Sequence, residues 1–92
     1  MQSFKPSQDM TFETVQADCQ RLIEFCHKNK ATVLNLELSE VTHCDSAGLA
    51  LLIEAKRLCT THNITCNITG MPNMIRALAE FCGVDAMLGL KA

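Results

Sequence analysis

The chain has 92 residues, of which 48% are hydrophobic and 20% charged, and its formal net charge at pH 7 is −2. This length and composition predict one soluble globular domain spanning 1–92, and they exclude a disordered tail or a collagen-like fibre. The slight acidity, the scattered basic residues and the absence of Trp and Tyr argue against nucleic-acid binding. No apolar run approaches the ~18 residues of a membrane span and no signal peptide is visible, so we expect a cytoplasmic location without membrane insertion.

The six cysteines include no CxxC pair, so we expect reduced thiols that fill the core as small hydrophobes. None of the Cys and His residues has the paired spacing of a structural zinc site, and we expect His27, His43 and His62 to be surface or loop residues. We predict neither a metal nor a cofactor. No catalytic constellation stands out and no phosphate-binding GxxxxGK[ST] loop is present, so we expect a protein that is neither an enzyme nor an ATPase.

The first ten residues contain Pro6 and few apolar residues, which favours an extended arm or one strand stub at best. From Thr11 the apolar residues recur at steps of three and four. This period predicts an amphipathic helix that is capped by Thr11 and runs to about Lys28. Its apolar stripe consists of Phe12, Val15, Cys19, Leu22 and Cys26.

The middle and the end of the chain read as two strands and two helices. Residues 32–38 and 64–69 alternate in polarity, as half-buried strands do. A helix that begins with Gly48 and runs to about Thr61 separates them. The inward rows are Leu34, Leu36 and Leu38, and Ile64, Cys66 and Ile68. Pro72 and Gly83 suit the start and the end of a third helix. We expect Ile75, Leu78 and Cys82 to share one face of that helix, and the tail 84–92 to pack Val84, Met87 and Leu88 on the core.

The order helix, strand, helix, strand, helix predicts a small α/β domain, a mixed sheet with helices packed on it. Strands joined through a helix normally run parallel. Two strands make a poor sheet, so we expect another segment to complete it. The exposed edge would be covered by residues 1–8, by a second copy in a homodimer, or by a partner.

The segment after the first predicted strand contains the strongest candidate site, Asp45 followed by Ser46. One interpretation is that either side chain simply caps the second helix, because Asp and Ser are common N-caps. The other is that the Ser46 hydroxyl is a phosphoacceptor or a partner contact, since the unsatisfied N–H groups of a helix start accommodate negative charge. Gly48, which has no Cβ, would let the backbone of another chain approach closely.

Residues 36–52, with a strand, Asp-Ser-Ala-Gly-Leu at 45–49 and an aliphatic helix, resemble the STAS domain of sulfate transporters and anti-sigma-factor antagonists. The resemblance covers roughly 9–88. It is closest to the small cytoplasmic subunit of the Mla-type phospholipid ABC transporter of bacteria, since Ala47 stands where the antagonists often carry a second Ser or Thr. The resembled fold begins with two strands before its first helix, for which residues 1–10 offer too little room.

The resemblance implies a non-enzymatic subunit that binds and regulates the ATPase of a transporter maintaining outer-membrane lipid asymmetry. Ser46 matches the residue presented to that ATPase, and the centre of the contact would be Asp45, Ser46, Ala47, Gly48 and Leu49. The alternative is an anti-sigma-factor antagonist, in which a partner kinase phosphorylates Ser46. A second alternative is a nucleotide-binding STAS module.

Overall fold

The computed structural model describes residues 2–28 and 32–89, and within them the predicted order of elements is present with three short strands added. In chain order the elements are β1 Gln2–Phe4, β2 Asp9–Met10, α1 Val15–Lys28, β3 Val33–Glu37, β4 His43–Cys44, α2 Ser46–Thr61, β5 Thr65–Thr69 and α3 Asn73–Phe81. The small α/β architecture predicted from the sequence is confirmed. The end of the predicted tail, 90–92, lies outside the described residues.

The strands form a three-stranded sheet in the order β1-β3-β5 and a separate pair, β2-β4. Leu34 of β3 is the partner of Gln2 on one side and of Cys66 on the other. All pairings among the described residues are parallel, where we expected a mixed sheet. The reason is that α1 lies between β1 and β3 in the chain, and α2 between β3 and β5, so each connection is a helical crossover.

The N-terminal segment departs from the expectation of one stub at best, because residues 2–10 supply two strands that join different sheets. β1 completes the main sheet beside β3, and β2 pairs with β4. Phe4 and Met10 anchor these strands in the core, with exposed fractions of 6% and 0%. Strands of three and two residues are too short to show an alternating pattern, which is why the sequence does not reveal them. Pairing of an outer sheet edge with a second copy stays a prediction.

A buried carboxylate fixes the loop between β1 and β2 on α1. Asp18, whose side chain is 1% exposed, accepts hydrogen bonds from the Ser7 backbone N–H (2.9 Å) and the Ser7 hydroxyl (2.7 Å). Arg21 adds an ion pair at 2.9 Å and lies over the Phe4 ring, 5.0 Å from its centroid. The desolvation of Asp18 is therefore offset by several charge-assisted hydrogen bonds.

Helix α1 begins at Val15 and not at Thr11, so the predicted N-cap is wrong. The Thr14 hydroxyl oxygen accepts from the Thr11 backbone N–H, and the Thr11 carbonyl accepts from the backbone N–H groups of Thr14 and Val15. These bonds fold residues 11–14 into a turn that precedes the helix. Phe12 consequently leaves the apolar stripe and is 80% exposed.

The core lies between the helices and the inward face of the main sheet. Its buried row from β3 and the residue after it is Leu34, Leu36 and Leu38, as the alternation predicted. β5 contributes Cys66 and Ile68 to a partly buried row, which Ile64, just before the strand, continues. The predictions for the third helix hold at Pro72, which is its N-cap, and at Gly83, whose φ is 75°.

The C-terminal predictions hold in part. Leu88 is buried and Val84 packs against the core, but Met87 is 60% exposed. Cys82 is exposed because it follows the last turn of α3 and lies off its buried face. The six cysteines are free thiols: Cys26 and Cys59 are in the core, and Cys19, Cys44 and Cys66 pack against it.

Candidate partner-binding site

The start of α2 combines a helix cap with an exposed hydroxyl. Asp45 is the N-cap, with an extended backbone, and its Oδ1 accepts from the Gly48 backbone N–H at 3.0 Å. The capping interpretation of Asp45 is therefore confirmed. Ser46 is the first helical residue, so α2 begins two residues before the predicted start at Gly48, because the Asp45 side chain caps the helix there. Ser46 is exposed, and its hydroxyl bonds to no other described residue. The hydroxyl is free for a partner or a modifying enzyme.

The second carboxylate oxygen of Asp45 reaches the turn before α1. Asp45 Oδ2 accepts from the Phe12 backbone N–H at 3.0 Å. This bond and that from Gly48 hold the pKa of the Asp45 carboxyl below its ordinary value of 3.8. Since one ionised side chain binds both elements, it fixes the exposed Phe12 relative to Ser46.

Gly48 provides a close approach within the chain itself. A Cβ at this position would lie 2.0 Å from the Met10 carbonyl oxygen and 2.9 Å from Cys44 Sγ. Glycine lets β2 pass directly over the start of α2. The predicted approach of another chain's backbone at Gly48 would have to compete with this strand.

The five predicted contact residues differ in how much surface they offer. Ser46 is exposed, Asp45 and Ala47 are half-buried, and Gly48 and Leu49 are buried, the last with 3% exposure. Gly48 and Leu49 therefore hold the helix start in place. Ala50, a neighbouring residue of the second helix of the kind expected to add to the contact, lies one helical turn beyond Ser46 and is exposed.

A groove of about 740 Å³ lies beside this helix start, between α1 and α2. It is lined by Phe12, Glu13, Val15, Gln16, Cys19, Gln20, Leu51 and Glu54. The groove is not evident from the sequence, because Phe12 fits the period of the buried stripe of α1. The signal that could have shown it is Thr14, since a threonine hydroxyl can bond the backbone of a nearby residue and so favours a turn or a cap over a helix interior.

The histidines lie at the surface, as predicted. His43 Nδ1 is 2.8 Å from Asp9 Oδ1, and this exposed pair links the two short strands β2 and β4. His62 Nδ1 is 2.8 Å from the Leu58 carbonyl oxygen, and its ring lies edge-on to that of His27. Within 2–28 and 32–89, no group of three or more His, Cys, Asp or Glu side chains could hold a metal ion.

No helix in the described part of the chain is long and apolar enough to span a bilayer. In comparisons with known proteins, the model of a family described as "Mlab, STAS domain" matches residues 7–89. No curated protein matches the chain. The family match begins after β1 and spans the other four strands, all three helices and the Asp-Ser-Ala-Gly-Leu segment. The chain therefore belongs to the STAS domain family of protein-interaction and regulatory modules.

Proposed function

We propose that the chain is a non-enzymatic cytoplasmic subunit that binds and regulates the ATPase of a phospholipid ABC transporter. The observation that carries the proposal is the match of residues 7–89 to the Mlab branch of STAS domains. The resemblance of residues 45–52 to the transporter subunit points the same way. The structure supports a contact at the start of α2, because the Ser46 hydroxyl there has no partner among the described residues.

A negative charge at position 46 distinguishes an effect on partner binding from an effect on folding. Glu at the first helical position interacts favourably with the helix dipole, so Ser46→Glu should fold like the wild type. At an interface the same carboxylate must lose its water, and it would stand beside the ionised Asp45. The substitution should therefore weaken the partner contact without unfolding the chain.

The test is the affinity of the purified ATPase for variants of the chain, measured by calorimetry. Ser46→Glu should bind at least about tenfold more weakly, and Ser46→Ala within about threefold of the wild type. Asn73→Glu is the matched control, because Asn73 is exposed and is the first residue of α3. It should bind normally. Wild-type affinity in Ser46→Glu would contradict a contact at this residue.

The anti-sigma-factor antagonist is the alternative that one observation favours, since an exposed hydroxyl without an internal hydrogen bond is open to a kinase. Incubation with the kinases of the source cell, followed by intact-mass measurement, distinguishes the two functions. A stoichiometric phosphate that disappears in Ser46→Ala would favour the antagonist. An unmodified chain that binds the ATPase would favour the transporter subunit.

A further inference from the structure

We propose that the groove between α1 and α2 takes an amphipathic helix of the partner that carries an apolar side chain for Phe12 and a Lys or Arg for Glu13. The identity of the partner as the transporter ATPase rests on the proposed function. The position of the groove and the chemistry of its lining follow from the contacts within this chain, whichever partner binds there. The binding surface would then extend from the start of α2 to the turn before α1, whose Phe12 fits the apolar period of the helix but is exposed.

Phe12 has the properties of a rigid apolar anchor. Its side chain is 80% exposed. Its backbone N–H donates to Asp45 Oδ2, and the turn it belongs to is closed by the bonds between Thr11 and Thr14. An aromatic side chain on a fixed backbone loses little conformational freedom when a partner covers it.

The floor and the walls of the groove suit a helix. Leu51 is buried, and Val15 and Cys19 are half-buried. Together they form an apolar strip between α1 and α2. Gln16 and Gln20 add amide groups along the rim. The groove has a volume of about 740 Å³, which is more than one side chain fills. It can therefore take several side chains, as an amphipathic helix presents them at helical spacing.

The charges of the groove select a basic partner. Its two ionisable carboxylates are Glu13 and Glu54, and no Lys or Arg is among the described residues that line it. Glu54 is paired with Arg57 on its own helix, whereas Glu13 makes no ion pair with a described residue. Glu13 is therefore the group left to receive a positive side chain, and charge complementarity of this kind also fixes orientation.

The groove and the start of α2 form one continuous surface. Ser46, Ala50 and Glu54 follow one another at four-residue steps, so they share one face of α2, and Glu54 lines the groove. Asp45 connects the same surface through its bond to Phe12. A partner that covers Ser46 can therefore also contact the groove, because the two lie on one continuous surface.

The test of the groove against the ATPase uses two matched pairs of variants. Phe12→Ala should bind at least about tenfold more weakly, whereas Phe81→Ala should bind as the wild type, although Phe81 is 90% exposed. Glu13→Lys should weaken binding at least about threefold, and Glu80→Lys, on exposed α3 surface, should not. Wild-type affinity in Phe12→Ala would overturn the groove proposal and leave the proposed function standing.

A second measurement needs no ATPase. Short synthetic amphipathic helices, one of Leu and Lys and one of Leu and Glu, are titrated into the isotope-labelled chain and followed by NMR. The Leu–Lys helix should shift the amide signals of Phe12, Gln16 and Leu51 at concentrations near about 1 mM, and the Leu–Glu helix should not. If neither helix shifts them, or both do equally, the proposal is overturned. If the Leu–Lys helix binds there and the ATPase does not bind the wild-type chain, the proposed function fails and the groove stands.

Discussion

The substitution Gly48→Ala tests the packing that builds the candidate site. An alanine Cβ would lie 2.0 Å from the Met10 carbonyl oxygen and 2.9 Å from its carbonyl carbon, where real Cβ atoms stay beyond 3.0 Å. Both atoms belong to the backbone, so no side-chain rotation relieves the contact. The Met10 carbonyl also accepts from the Asp45 backbone N–H at 3.3 Å, and moving it would disturb that bond.

The expected loss of stability follows from three contributions. Overpacking costs about 3 kcal/mol at the upper end of its usual range, and loss of the Asp45 N–H bond adds about 1 kcal/mol. Replacing glycine in a helix returns about 1 kcal/mol. The net destabilisation is about 3 kcal/mol, which lowers the melting temperature of a domain this size by more than about 10 °C.

The assay is thermal unfolding by circular dichroism, with Gly83→Ala as the control. Gly83 has a φ of +75°, and a Cβ at this position would have no atom within 4 Å. Alanine there should therefore be destabilising only through its left-handed backbone conformation, which costs about 1 kcal/mol. Gly83→Ala should melt about 5 °C below the wild type. If Gly48→Ala melts within about 2 °C of the wild type, the close approach of β2 to α2 is not as described.

Three further outcomes are expected. Hydrogen bonds hold the pKa of Asp45 below 3.8, so the wild type should be more stable than Asp45→Asn at neutral pH and should lose that advantage as the pH falls through the lowered pKa. Denaturant unfolding at a series of pH values measures the difference in stability, and a difference that did not change with pH would contradict the expectation. Asp18→Ala should lower the free energy of unfolding by about 2–3 kcal/mol, since it removes the acceptor of both Ser7 hydrogen bonds from a buried position, and urea titration would refute this if the midpoint stayed unchanged. Iodoacetamide at neutral pH should alkylate Cys82 first and Cys59 last, because burial protects the Cys59 thiol and raises its pKa to about 12. Peptide mapping follows the order of modification, and early modification of Cys59 would show that the core opens.

Local patterns in the sequence were sufficient for the main elements of the fold. The two-residue period at Leu34, Leu36 and Leu38 predicted the buried row of β3, because alternate side chains of a strand share a face. Gly83 predicted the end of α3, since its positive φ favours glycine. Asp45 was one of two candidate caps for α2, because a short acceptor can bind the free N–H groups of a helix start, and the structure shows it to be the cap.

Features that depend on contacts between distant segments could not be predicted. The strands β2 and β4 have two residues each and exist because Asp9 and Met10 meet His43 and Cys44 in space. The reason for Gly48 is the Met10 carbonyl, which is distant in sequence. Phe12 fits the helical period, but local threonine hydrogen bonds and the Asp45 carboxylate hold it outside the helix.

Photo-crosslinking from the start of α2 tests the central claim most directly. The photoreactive residue p-benzoylphenylalanine is placed at the position of Ser46 and, in a separate protein, at that of Phe81; each is irradiated with the purified ATPase. The Ser46 position should crosslink to the ATPase, and the exposed Phe81 position on α3 should not. A crosslink from the Phe81 position and none from that of Ser46 would contradict a partner-binding surface at the start of α2.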